Sequence, residues 1–217
     1  MSIQNLLGEL LRSGTAQYDK ARQSGDLHKY ATGAAAGGAL ALLLGSKRGR
    51  SLGGKALKLG SIAAIGALAW KVYQDHQAKQ VAPAVAPPGP PPRFEALPAP
   101  QLELHSQAML KAMIAAAKAD GHMDDRERGL VEVELGRLDA DPATRRWVED
   151  ELRRPVEPAE VAATSTSPEM AAEIYLASAL VADETTTMER VYLDELARQL
   201  GLEPSLRQAL EAKARAG

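Results

Sequence analysis

The chain has 217 residues, no cysteine, two Trp, five Tyr and one Phe, and a formal net charge of −2. That length allows one domain with appendages or two small ones, and the lack of cysteine excludes disulfides, zinc–thiolate sites and thiol catalysis. The near-neutral charge is a cancellation, because residues 1–80 carry 11 Lys/Arg against 4 Asp/Glu while residues 81–217 carry 15 against 24, so the two halves suit different surroundings.

The chain opens Met-Ser-Ile-Gln-Asn, without a basic segment leading into an apolar one, so no cleaved signal peptide is expected. Ala, Leu, Glu and Arg abound and β-branched residues are sparse, which favours helix outside the Gly and Pro stretches. Residues 3–30 read as a short polar helical region interrupted by Gly14 and Gly25. Tyr30 to Ser46 is then uncharged and rich in Ala and Gly, ending in Leu40, Leu42, Leu43 and Leu44. A basic, Gly-rich stretch with Lys47, Arg48, Arg50, Lys55 and Lys58 separates it from a second uncharged run, Leu59 to Trp70.

The two runs suggest an apolar hairpin over residues 30–73. A spanning helix needs roughly 17–20 apolar residues. The first run just reaches that length, and the second reaches it only if Lys58 and Lys71 snorkel. Gly33 and Gly37 would let two helices approach closely, and Trp70 and Tyr73 have the amphipathic character of residues at a headgroup boundary. A membrane-inserted or membrane-lying hairpin is one reading; a Gly/Ala-rich soluble hairpin or arm is the other.

Residues 81–100, VAPAVAPPGPPPRFEALPAP, predict an extended polyproline-type linker. From Gln101 the pattern is helical. Ala108, Met109, Ala112, Met113 and Ala116 share one face, and Leu130, Val131, Leu135 and Leu138 form the stripe of the next helix. Asp141-Pro142 reads as an N-cap and first helical residue, followed by Trp147, Val148 and Leu152 as the buried side. A short helix from Glu157-Pro158 to about Ala163 and a polar loop at Thr164–Ser167 come next. Pro168 opens an apolar helix through Leu180, with Tyr175 and Ser178 as packing residues. Val191, Leu193, Leu196, Ala197 and Leu200 form one more stripe, closed by Gly201, and Glu203 to Ala214 forms the last helix. The expected fold is all-α: a compact helical domain over residues 101–217 with two related halves, each helix–acidic turn–helix.

The acidic turns carry the functional question. The first spans Ala119 to Arg128; a weaker echo spans Ala182 to Arg190. Asp124 to Glu127 and Thr186 to Glu189 have capping-box spacing, which satisfies orphan N–H groups and sets negative charge at the positive end of a helix. The competing reading is a divalent-cation site, since calcium or magnesium needs several oxygens close together. Asp120, Asp124 and Glu127 would form the first set, with Asp183, Glu184 and Glu189 as the second; His122 would admit a transition metal. The loop lacks the glycine of an EF-hand, and Thr186 replaces Asp124 in the echo, so the first turn is the better site. His28, His76 and His105 are scattered, and no catalytic triad, phosphate loop or dinucleotide fingerprint is present.

Residues Ala117 to Asp124 with Glu127, Ala172 to Ser178, and Glu189 to Leu193 with Leu196-Ala197 resemble the TerB-like tellurite-resistance superfamily, and more closely the YebE-type bacterial inner-membrane proteins. The resemblance implies an all-α fold of two related helical halves, a membrane link, and metal sensing in stress responses. Relatives often carry Asp-x-Asp in the second turn, where Thr185 follows Glu184 here. The reading that results is a non-enzymatic, membrane-associated bacterial protein. Residues 30–73 would hold it to the inner membrane, and a cytoplasmic TerB-like domain would bind a partner protein or a divalent cation. No nucleic-acid partner is expected. A soluble adaptor that homo-oligomerises through the hairpin is the alternative, followed by a metal-dependent hydrolase using Asp120, Asp124 and Glu127.

Overall fold

A computed structural model describes residues 1–9, 62–80, 97–119, 125–182 and 186–216. The fold is all-α. Residues 3–9 are helical, and the helices that follow are α1 (Ile62–Gln80), α2 (Ala99–Ala117), α3 (Asp125–Arg137), α4 (Pro142–Arg153), α5 (Pro158–Ala162), α6 (Pro168–Val181), α7 (Thr187–Gln199) and α8 (Pro204–Ala216).

Local chemistry sets most of these boundaries. Proline suits the first helical turn, where its missing N–H would have no intrahelical partner. Pro98 therefore precedes α2 in an extended conformation, and the helix begins at Ala99, inside the stretch expected to stay extended to residue 100. Asp141 caps α4 by accepting from the Thr144 N–H at 2.8 Å, and Ser167 caps α6 by accepting from the Met170 N–H at 3.2 Å. At the end of α7, Gly201 has φ of 65°, with Gly201 N bonded to Arg198 O and Leu202 N to Ala197 O. That is the Schellman pattern, which needs a left-handed residue past the cap. The end of α3 repeats it with Asp139 at φ of 52°, where Asp139 N meets Gly136 O and Ala140 N meets Leu135 O.

Helix α6 is the hub. Every residue from Met170 to Val181 except Glu173 is buried, as expected of a helix that is apolar all round. It packs against α2, α1, α8 and α7. Ala171, Ala172, Ala177 and Ala179 keep its girth small, and Ile174, Tyr175 and Leu176 fill the space between neighbours at no solvent exposure. A side chain such as Leu176, fully removed from water, contributes about 1.5–3 kcal/mol. Helix α2 brings the expected stripe of Ala108, Met109, Ala112, Met113 and Ala116, all buried.

Helix α1 takes most of the second apolar run of the expected hairpin into the protein core. Its Ile65, Ala69 and Val72 are buried in the common core, and the helix lies against α6 and α8. Trp70 and Tyr73, expected at a headgroup boundary, stack on one another with ring centroids 5.9 Å apart, and the Tyr73 hydroxyl accepts from Gln77 at 2.8 Å. The face of α1 that carries Ile65, Ala69 and Val72 is thus buried against other helices of the protein. No described helix is long and apolar enough to cross a membrane; residues 30–61 lie outside the described residues. Ile3, Leu6 and Leu7 also join the core. The core therefore draws on both sides of the Pro-rich stretch, and the expected separation of residues 1–80 from 101–217 is not a separation of the core.

Candidate functional site

Of the residues expected to gather a cation, Asp120, His122, Asp124, Asp183 and Glu184 lie outside the described residues, as does the side chain of Glu127. Glu189 is described, and it closes a capping box. Its Oε2 accepts from the Thr186 N–H at 3.1 Å and from Thr186 Oγ1 at 2.9 Å. Thr186 Oγ1 in turn accepts from the Glu189 N–H at 3.1 Å. The helix end at the echo turn is thus satisfied by its own first turn. Among the described residues no group of three or more His, Asp or Glu is placed to hold a metal ion.

The described residues that flank both acidic turns meet at one groove. Lys118 and Ala119 lead into the first turn; Thr187 and Met188 follow the second. Together with Arg128, the α4–α5 segment and one face of α7, they line a depression of about 700 Å³. Its floor is apolar, from Leu152, Val156, Pro158 and Tyr192. Met188 is 55% exposed and Val191 60%, although Val191 was expected in the buried stripe. Successive residues of an α-helix turn by about 100°, so Val191 lies roughly 200° from Leu193, on the face that Leu193, Leu196 and Ala197 leave outside. Pairing Met188 with Val191 at a spacing of three, instead of joining Val191 to the core stripe, would have revealed this second apolar face.

Charge is unevenly satisfied around the groove. Lys118 is buried, and its ammonium donates to the carbonyl of Glu151 at 2.9 Å and to that of Arg154. Burial pushes its pKa below the ordinary lysine value, while the Glu151 carboxylate works against that shift. A lysine clamping the end of a neighbouring helix leaves no local signature, and sequence reasoning missed it. Arg153 is exposed, and Arg154, 55% exposed, pairs with Glu151 at 3.4 Å. The carboxylate on this wall, Glu195, is engaged by Arg198 at 2.5 and 2.8 Å and by Gln199 at 2.7 Å. The Arg198 hydrogen bonds hold its pKa down to about 2. The arrangement combines an apolar floor, two exposed apolar side chains and a cationic rim.

Two further grooves flank the core. One, of about 750 Å³, is lined by Leu97, Leu104, Lys111, Trp147 and Met170; beside it His105 Nε2 meets Glu173 Oε2 at 2.7 Å. The other, of about 510 Å³, lies between α1 and the turns after α5 and α7, where His76 Nε2 meets Ser205 Oγ at 2.7 Å. His76 and His105 thus take separate partners, whereas His28 lies outside the described residues.

A family model described as "Protein of unknown function (DUF533)" matches residues 29–214. Over 105 residues the chain is 30% identical to a Yersinia enterocolitica protein described as "Uncharacterized protein in ampR 5'region", covering 48% of this chain and 76% of that protein. No solved structure matches the chain. The family match runs through α1, both acidic turns and every helix up to Ala214, and the chain therefore belongs to the DUF533 family, whose function is unknown.

Proposed function

We propose that this chain is a non-enzymatic, TerB-like partner-binding module, related to the YebE-type inner-membrane proteins and serving a stress response. The observation that carries the reading is the groove lined by α7 and the α4–α5 segment, where Met188 and Val191 stand exposed beside Arg153 and Arg154. Its partner is a protein segment that presents an apolar anchor with a carboxylate next to it. The basic residues before α1 keep the domain at the anionic cytoplasmic face of the inner membrane. The test is a photoreactive side chain at Met188, compared with one at exposed Gln208 on α8. A discrete adduct in cells is expected at position 188, absent at 208, and lost on Val191→Asp in a chain that keeps its helical content. Equal labelling at both positions would defeat the proposal.

A divalent cation at the acidic turns is also proposed, through Asp120, Asp124 and Glu127 with Asp183 and Glu189 and with His122 as an additional ligand, the first turn being the better site. Calorimetric titration of the full chain with calcium, magnesium, manganese and zinc is expected to give heat that Asp120→Ala removes. Dilution heat alone would leave capping as the whole role of these turns.

A further inference from the structure

We propose that the groove at Met188 and Val191 and the groove beside Trp147 form one seat for a single acidic peptide segment, joined at Arg154. The inference rests on the partner-binding reading above and names what the partner carries: two apolar anchors on either side of one carboxylate. Arg154 lines both grooves. Its carbonyl is held by the ammonium of Lys118, a residue of the first groove. Its guanidinium pairs at 3.4 Å with Glu151, a residue of the second. Helix α4 ends at Arg153, and Arg154 turns to extended backbone with ψ of 148°, so the shared residue stands where the chain leaves the helix.

Apolar surface marks both ends of this seat. Of the five large apolar side chains left exposed among the described residues, Met188 and Val191 lie on the first groove and Leu104, 65% exposed, on the second. Exposed apolar groups gathered on grooves mark binding surfaces, whereas scattered ones need no explanation. Charge selects the occupant. The described residues lining the two grooves include the cations of Lys111, Lys118, Arg128, Arg153 and Arg154 against the carboxylates of Glu151 and Glu195. Residues 81–217 as a whole carry 15 cations against 24 carboxylates, so this lining reverses the balance of the segment that builds it. Both lining carboxylates are engaged, Glu195 by Arg198 and Gln199, and Glu151 by Lys111 and Arg154. An acidic segment is therefore favoured over a neutral or basic one. The Arg154 guanidinium, with several N–H donors, can take a second carboxylate beside Glu151. Trp147 and Arg154 stand two helical turns apart, about 10 Å, which is the reach of about three residues of extended peptide.

The full chain, titrated by fluorescence anisotropy with labelled, end-blocked Ser/Ala peptides, tests this. Each peptide carries a central glutamate with one leucine about three residues away and a second about three to six residues away on the other side, in both chain directions. One spacing is expected to bind at least about tenfold tighter than either single-leucine peptide. Leu104→Ser and Val191→Ser, both at exposed positions, should each weaken that peptide about tenfold. Arg154→Gln keeps the carbonyl that Lys118 holds and should abolish the preference for glutamate over glutamine at the centre of the peptide. Weakening by Val191→Ser but not by Leu104→Ser would overturn the joined seat while the reading of the Met188 groove stands. Absence of saturable binding at every spacing would also overturn it, the adduct at position 188 deciding that earlier reading separately. So would a glutamate preference that survives Arg154→Gln, or self-association of the chain that the peptide displaces, which would give the seat to a second copy.

Discussion

Glu211→Ala is expected to lower the stability of the fold by about 3 kcal/mol, the largest loss from removing one polar group among the described residues. The Tyr175 hydroxyl, on the fully buried hub helix, donates to Glu211 Oε1 at 2.7 Å. Arg207 Nε donates to the same oxygen at 2.6 Å and to the Tyr175 hydroxyl at 3.0 Å, and it also reaches Asp194 on α7. One carboxylate, 9% exposed, thereby joins α8 to α6 and, through Arg207, to α7. Alanine would leave the tyrosine hydroxyl without its acceptor and a 30% exposed guanidinium with one carboxylate fewer. Urea unfolding should show a lower midpoint at unchanged slope, and a loss under about 1 kcal/mol would mean that the network does not hold the helices together. Tyr175→Phe spares the Arg207–Glu211 pair and should cost about 1 kcal/mol.

The same network predicts an alkaline limit. Burial pushes the Tyr175 hydroxyl well above the usual tyrosine range, and its hydrogen bond to Glu211 pushes it further; burial does the same to Tyr192. Unfolded tyrosines ionise near pH 10 while these two stay neutral in the fold, so the unfolded chain loses protons first and gains from rising pH. Stability should be level with respect to both groups below pH 10 and fall above it by about 1.4 kcal/mol per pH unit for each tyrosine. Tyr175→Phe should remove one tyrosine's share of that slope, and an unchanged slope would show that Tyr175 does not stay neutral.

Lys118→Ala should cost about 2–3 kcal/mol and loosen one wall of the groove. The lysine stem lies in the core edge, and its ammonium satisfies two carbonyls at the end of α4, those of Glu151 and Arg154. Lys118→Met keeps the stem and sheds a buried charge, so its cost should be smaller, about 1–2 kcal/mol. Hydrogen exchange should quicken for the Arg154 amide, which closes the last turn of α4 on Asp150 O, with the start of α4 unchanged. Unaltered exchange there would deny the lysine its role in holding the wall. The linkage sign is opposite to that of the tyrosines. The folded-state pKa of Lys118 is depressed, so the fold binds fewer protons than the unfolded chain. Its contribution should rise as pH climbs from the depressed folded value towards 10.5.

The parts of this fold legible in the sequence are those whose physics is complete within a turn or two of chain. Asp141-Pro142 and Ser167-Pro168 start helices, Thr186 with Glu189 closes a capping box, and Gly201 ends α7, because each satisfies backbone groups at most five residues away. The apolar stripes of α2 and α6 were legible for the same reason, since period alone tells which face avoids water. Period does not tell what that face meets. The run before Lys71 satisfies the same hydrophobic demand in lipid or against α6, and packing put Ile65, Ala69 and Val72 into the protein core. Val191 looked like a core residue until its angle from Leu193 placed it on the groove. The partners of Lys118, Tyr175 and Ile3 stand 33, 36 and 100 positions away, a distance over which sequence carries no local trace. The sequence by itself therefore determined an all-helical chain with its caps and apolar faces, through interactions that close locally. Tertiary structure alone decided that α1 and residues 3–9 join the core, and that described residues flanking the two acidic turns line one groove, because those outcomes depend on which faces can be buried against each other.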